Sequence, residues 1–134
     1  MTTDRVGDFI IRLKNAGAVG KAEVRLPYSG HIEAIAKKLH ALGYVGAVKT
    51  DAKGESEAKK ELIVGLLYDE RGKAKIKGVQ RISKPGRRLY AHSSEAHGIK
   101  GGMGSRIFST PAGVVSDREA RKGNVGGESL FDIW

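Results

Sequence analysis

The chain contains no cysteine, which excludes a disulfide framework and any thiolate metal site and fits a reducing compartment. Aromatic residues make up only 6% of its 134 residues, fewer than a protein that grips single strands by stacking bases on successive rings would carry. No apolar run approaches the roughly 18 residues of a membrane-spanning helix, and Met1-Thr2-Thr3-Asp4 lacks the basic start and apolar core of a signal peptide. The expectation is a cytoplasmic protein with no membrane partner. Acids are also in deficit, 15 Asp+Glu against 24 Lys+Arg for a net charge of +9, and that balance favours a polyanion. The deficit is concentrated. Between Arg71 and Arg88 stand eight basic residues (Arg71, Lys73, Lys75, Lys77, Arg81, Lys84, Arg87 and Arg88) and no acid. Lys73, Lys75 and Lys77 alternate, so a strand there would project all three from one face as a row for a phosphate backbone; the plainer alternative is a solvated sheet face. Asp51, Glu55 and Glu57 lie in a polar stretch that would face away from the polyanion.

At this length folding can bury roughly two thirds of the unfolded surface, enough for one domain or two small ones. Val6, Phe9, Ile10 and Leu13 recur at helical spacing, so Asp4 to about Ala16 predicts a helix with Arg5, Asp8, Arg12 and Asn15 on its far side, ended by Gly17 and Gly20. Lys21 to Leu26 reads as a short strand. Ser29 is positioned to cap a second helix that turns Ile32, Ile35, Ala36, Leu39 and Leu42 inward, with Gly43 as C-cap. Tyr44 to Val48 and Leu62 to Tyr68 read as strands around a polar hairpin loop, Thr50 to Lys60. The first half is then α-β-α-β-β. Asp69-Glu70-Arg71-Gly72 is a turn and the expected domain boundary, giving domains at 1–68 and 69–134. Beyond it, Lys73 to Ser83 is expected to be extended, Lys84-Pro85-Gly86 to turn, and Arg106-Ile107-Phe108 and Leu130 to Trp134 to form strands. The fold class is α+β, an N-terminal α-β-α-β-β unit packed against a mainly β C-terminal unit with one short helix.

That short helix is specified locally. Ser116 and Glu119 fit a capping box, Lys122 favours the negative helix pole, and Gly123 or Asn124 can take the left-handed conformation that stops it. A helix of barely two turns is unstable alone, so its expected task is to hold the flanking loops at a set separation, a hydroxyl-bearing turn at Ser109-Thr110 and a diglycine-acid turn at Gly126-Gly127-Glu128.

Enzyme chemistry finds no purchase. In Gly101-Gly102-Met103-Gly104 a dinucleotide fingerprint fails because Ile107 holds its third glycine place, and no Gly-Lys-Ser/Thr follows. His92, Glu95 and His97 are close in sequence, but their spacing does not place both histidines on one helix face. There is no Gly-x-Ser-x-Gly elbow, and Gly98-Ile99-Lys100-Gly101 lacks the flanking helices of a KH clamp. Neither catalysis, a cofactor nor a metal is expected. His31 and His40 flank the second helix as surface residues. A DNA reader would need a recognition helix bearing Arg, Asn or Gln, whereas the charge here sits mostly on a predicted strand. RNA exposes backbone, 2′-hydroxyls and irregular bases that Ser109 and Thr110 can engage, though both also suit ordinary turn chemistry. Gly126 and Gly127 allow close backbone approach, and Glu128 can accept from base amino groups or simply bond neighbouring backbone.

These residues carry a resemblance. Arg81-Ile82-Ser83-Lys84-Pro85-Gly86-Arg87-Arg88-Leu89-Tyr90, Ser109-Thr110, Val115 to Arg121 and Gly126-Gly127-Glu128 resemble the bacterial small-subunit ribosomal protein S-eight family. Asp4, Asp8, Arg12, Leu13, Lys14, Asn15 and Ala16 resemble that family's first helix. The resemblance implies a two-part α+β fold in the small ribosomal subunit, with a primary binder's role on the central domain of small-subunit ribosomal RNA, where it organises helices for assembly. It also implies neighbouring small-subunit ribosomal proteins as partners, and repression of its own messenger through a segment imitating the ribosomal site. By position it puts Ser109, Thr110, Gly127 and Glu128 at the main RNA contact, with Gly126, Tyr90, Arg87 and Arg88 close by and Lys14 and Asn15 contacting RNA from the first half. Pro111 and Ala112 stand where the family commonly has a serine and a lysine, Ala91 to Lys100 departs from its usual charged segment, and Asp132 replaces a frequent aromatic. The alternative in another class is an architectural nucleoid protein binding duplex DNA.

Overall fold

The computed structural model describes residues 4–52, 60–84, 86–91 and 104–134. Eleven elements follow in chain order: α1 Arg5–Ala18, β1 Glu23–Pro27, α2 Gly30–Ala41, β2 Val45–Ala52, β3 Lys60–Leu66, β4 Val79–Arg81, β5 Tyr90–Ala91, β6 Ser105–Thr110, β7 Gly113–Ser116, α3 Asp117–Gly123 and β8 Gly127–Ile133. The class is α+β, as expected. The chain packs as two compact units, one of residues 9–76 and the other of residues 1–8 with 77–134.

In the first of these, β1, β3 and β2 form an antiparallel sheet in that spatial order. Val24 lies opposite Val64 and Leu26 opposite Leu62, so all four share a face and all are buried, together with Phe9, Ile10 and Leu13 from α1 and Ile32, Ile35 and Leu39 from α2. Arg12, Lys14 and Asn15 lie on the exposed side of α1. Each helix ends by the same device. Gly20 (φ 77°) and Gly43 (φ 87°) take the left-handed conformation, and beyond them Lys21 N–H donates to the Ala16 carbonyl and Tyr44 N–H to that of Leu39, the Schellman pattern. Gly17 does not stop α1 as expected. It lies within α1, where a Cβ would come within 2.9 Å of that of Ala74, so its bareness serves packing. Ser29 does hold the N-cap position of α2, yet its side chain makes no capping bond.

The C-terminal unit is a five-stranded antiparallel sheet in the order β4-β8-β6-β7, with β5 also paired to β8. Its registers correct two sequence expectations. Gly127 and Glu128 are not a turn but the first residues of β8, because Glu128 pairs with both Tyr90 and Ser109. Likewise Ser109 and Thr110 are not a turn but the last residues of β6, pairing with Val114 and Gly113 of β7. Between Ile107 and Phe108 the partner on β8 changes from Phe131 to Ser129, so Leu130 is an extra residue, a β-bulge. Its carbonyl accepts from the Ile82 N–H and the Arg81 guanidinium. The stretch from Lys73 to Ser83 is strand only over Val79–Arg81. Asp69 is responsible for the irregular start: its Oδ1 accepts from the N–H groups of both Arg71 (2.8 Å) and Lys73 (2.9 Å), a bond pattern that winds the chain instead of extending it. Lys73, Lys75 and Lys77 are nonetheless all exposed, alternating with half-buried Ala74 and buried Ile76 and Gly78.

α3 forms as expected. Ser116 Oγ accepts from Glu119 N–H, the Glu119 carboxylate accepts from Ser116 N–H, and Asn124 (φ 53°) closes the helix. It covers one face of the sheet, where Phe108 and Ala120 are buried with Ala91, Val115 and Val125 around them.

Candidate nucleic-acid interface

The other face of the C-terminal sheet carries three of the residues singled out by sequence, Tyr90, Glu128 and Ser109, while Thr110 has the parity of Phe108. Tyr90, Glu128, Ser109 and Val114 lie directly opposite one another across β5, β8, β6 and β7, so their side chains project from one face. Ser109 has the parity of Ile107, not of Phe108, which puts this row on the side away from α3. Tyr90 is 72% exposed, a free aromatic surface beside a carboxylate.

Glu128 is held from two sides. Its Oε2 accepts from the Ser83 hydroxyl at 2.5 Å and from the Arg88 guanidinium at 2.8 Å. Burial pushes its carboxyl up, but the bonds from Ser83 and Arg88 and the charges of Arg88 and Arg81 outweigh that and lower it, keeping the group ionised. The same contact raises Arg88. Ser83 is fully buried and also accepts from the Leu89 N–H at 3.1 Å. It therefore anchors both ends of a tight hairpin in which Lys84 and Arg87 exchange both backbone hydrogen bonds at 2.9 Å, leaving Lys84 and Arg87 exposed at the tip.

Thr110 closes the neighbouring turn. Its hydroxyl donates to the Gly113 carbonyl at 2.7 Å and accepts from Ala112 N–H at 3.2 Å, which pins the chain around Pro111. Gly127 lies against this corner. A Cβ at that position would sit 2.2 Å from the Ser109 carbonyl oxygen and 2.9 Å from the Thr110 methyl, so only glycine lets β8 approach β6 there. Gly126 precedes it, half-buried, after α3.

Not every cation in the basic stretch faces outward. Arg81, with a side chain 11% exposed, grips Asp4, its Nη2 at 3.0 Å from Oδ1, and Asp4 Oδ1 also accepts from Gly7 N–H at 3.0 Å as the N-cap of α1. Burial alone would raise the Asp4 carboxyl, yet the bonds from Arg81 and Gly7 lower it. Asp132, at the family's frequent aromatic position, is buried and makes a two-bond pair with Arg106 directly opposite, at 2.7 and 3.1 Å. Sequence reasoning missed Ser83, Asp4 and Arg106 as partners. Each bond spans 26 to 77 residues of chain, and no local pattern marks it.

The structure thus brings Arg87, Arg88, Tyr90, Ser109, Thr110, Gly126, Gly127 and Glu128 together in one unit. Lys14 and Asn15 lie in the other, where Asn15 lines an open groove of about 640 Å³ with Arg12, Val19, Lys21 and Arg25. Gly101 to Met103, His92, Glu95, His97 and the 98–101 motif lie outside the described residues, as do 53–59 of the polar loop and Pro85. Among the described residues no group of three potential ligands could hold a metal ion, and no helix is long and apolar enough to cross a membrane.

A family model described as ribosomal protein S8 matches residues 4–134. The small ribosomal subunit proteins uS8 of Salinispora arenicola and of Mycoplasmopsis synoviae are each 40% identical to the chain over 132 residues, 98% of either chain. That of Syntrophus aciditrophicus is 41% identical over 134 residues, again 98% of either.

Proposed function

The chain belongs to the ribosomal protein S8 family, and from that premise we propose that it is a primary binder of the central domain of small-subunit ribosomal RNA, organising its helices for assembly. As a member it is a structural, non-enzymatic protein of the small ribosomal subunit, with ribosomal RNA and other ribosomal proteins as partners. The observation that carries the finer reading is the row of Tyr90, Glu128 and Ser109 on the sheet face away from α3. It sets a stacking surface, an ionised acceptor and a hydroxyl side by side, a combination suited to irregular, unstacked RNA bases. An anion at the centre of such a row repels phosphate, so it selects for base amino groups over backbone. Arg87 and Lys84 at the hairpin tip, and the exposed Lys73, Lys75 and Lys77, provide the phosphate contacts that give affinity without sequence preference.

We assign this contact to the domain expected at 69–134, with Lys14 and Asn15 as further contacts from 1–68. A messenger segment imitating the ribosomal site would meet the same face, and repression of its own synthesis belongs to the same proposal. The test is binding to a folded central-domain fragment across a salt series, beside duplex DNA and an unrelated structured RNA of equal length. Preference for the fragment that survives high salt is expected, since base contacts are less screened than phosphate contacts. Equal affinities that vanish together would mean a generic polyanion binder and would promote the architectural DNA-binding alternative.

A further inference from the structure

We propose that Ser83 is a positioning residue for RNA recognition: its buried hydroxyl, held by the Leu89 N–H and aimed at Glu128, fixes which oxygen of that carboxylate is left to accept a nucleobase amino group. This rests on the reading of the Tyr90–Glu128–Ser109 row as the RNA-contacting face.

The hydrogen inventory forces the direction. A serine hydroxyl has one proton to give. The Leu89 backbone N–H at 3.1 Å can only donate to Ser83 Oγ, so the serine proton is available to Glu128 Oε2 at 2.5 Å. Arg88 Nη1 donates to the same oxygen at 2.8 Å. Oε2 is thereby occupied twice, and Oε1 receives no hydrogen bond from the described residues. With one oxygen tethered, the carboxylate cannot rotate freely about its last torsion, and its remaining acceptor has a defined place in the row between Tyr90 and Ser109. The two tethers differ in kind. Arg88 is half exposed, 50%, and a bound phosphate competes for it. Ser83 is fully buried, so RNA cannot displace it, and the orientation survives complex formation. The serine also ties the hairpin that carries Lys84, Arg87 and Arg88 to the strand that carries Glu128, linking the phosphate contacts to the base contact through one hydroxyl.

The experiment is a double-mutant cycle on the full chain. Affinities for the central-domain fragment and for an unrelated structured RNA are measured for wild type, Ser83→Ala, Glu128→Ala and the double variant. Ser83→Thr, which keeps the hydroxyl, and thermal melting serve as controls. Loss of a hydrogen bond to a charged group corresponds to about tenfold in affinity. Ser83→Ala is expected to weaken the ribosomal fragment about tenfold, leave the unrelated RNA unchanged, and add nothing further when Glu128 is already Ala. Ser83→Thr is expected to restore most of the loss. If the two losses multiply, or if both RNAs weaken equally, Ser83 acts through general stability and the proposal is overturned. Should Ser83→Ala fold too poorly to assay, Ser83→Cys, of similar size with a weak donor, takes its place in the same cycle with the same outcomes. If wild type itself shows no preference for the ribosomal fragment, the RNA-contacting role of this face fails and the positioning role fails with it. If wild type shows the preference and the serine variants keep it, only the positioning role is lost.

Discussion

One hydroxyl, that of Thr110, holds a turn and under the proposed function also meets RNA. It donates to the Gly113 carbonyl and accepts from Ala112 N–H, which leaves one lone pair unused by the turn. Thr110→Val therefore loses about 1 kcal/mol of folding stability as well as specific affinity, where a turn role alone would leave affinity unchanged. Melting and RNA titration of the same variant separate the two. Asp4 is doubly used in the same way, capping α1 and neutralising the shielded Arg81. Removing it in Asp4→Ala should cost about 1 to 3 kcal/mol at neutral pH, from the lost cap and the stranded arginine. Its carboxyl is lowered from 3.8, so the ionised form contributes stability above about pH 4, and that contribution disappears as pH falls through the lowered folded value. The gap between wild type and Asp4→Ala, read by denaturant unfolding, should narrow progressively below pH 4. A gap independent of pH would mean that the carboxylate charge plays no part.

Among the elements, the junction of β6 and β8 leaves no room for a side chain at Gly127. Gly127→Ala would set a methyl 2.2 Å from a backbone oxygen, a clash that no side-chain rotation relieves, and should cost about 3 kcal/mol by forcing the strands apart. Because the displaced strand carries Glu128, specific RNA binding should fall in the same variant; binding at wild-type level would show that the strands separate without moving the row. The sequence made some elements plain and hid others. α1, α2 and α3 were legible because their signals are local: a 3.6-residue apolar period, glycines after the last turn, serine and glutamate three apart. The strand character of Ser109-Thr110 and of Gly127-Glu128 was not, since Ser and Gly read as turn residues until their partners across the sheet are known. Lys73 to Lys77 misled in the opposite sense. Their alternation predicted exposure correctly and a continuous strand wrongly, because Asp69 takes the Lys73 N–H while the N–H groups of Lys75 and Lys77 go to the carbonyls of Leu67 and Trp134, so no single partner strand runs along the stretch. The candidate site was legible as a set of residues through the family resemblance, whereas Ser83, which holds Glu128, was hidden by a separation of 45 residues.

At the scale of the whole molecule, a charge of +9 means that association with RNA is governed by counterion release as well as by fit. Converting Lys73, Lys75 and Lys77 together to Gln should weaken every RNA alike and flatten the dependence of log affinity on log salt by about 2 to 3 units if each lysine meets a phosphate. An unaltered slope would return these side chains to the role of a solvated face. Stability should change little in that variant, because all three are exposed and surface substitutions typically shift it by less than about 0.5 kcal/mol.

The extra residue at Leu130 has a genetic consequence. Strand residues alternate sides, yet Glu128 and Phe131, three positions apart, share a side because one residue between them is uncounted by the partner strand. A mutation that drops the Leu130 codon would give β8 an uninterrupted alternation and leave Glu128 on its present side, opposite Ser109, while the ladder itself became more regular. Dropping two codons would instead turn Glu128 toward α3, out of the row it forms with Tyr90 and Ser109. Over evolutionary time this stretch should therefore tolerate loss of the one uncounted residue better than loss of two, since only the second takes Glu128 off the face it shares with Tyr90 and Ser109.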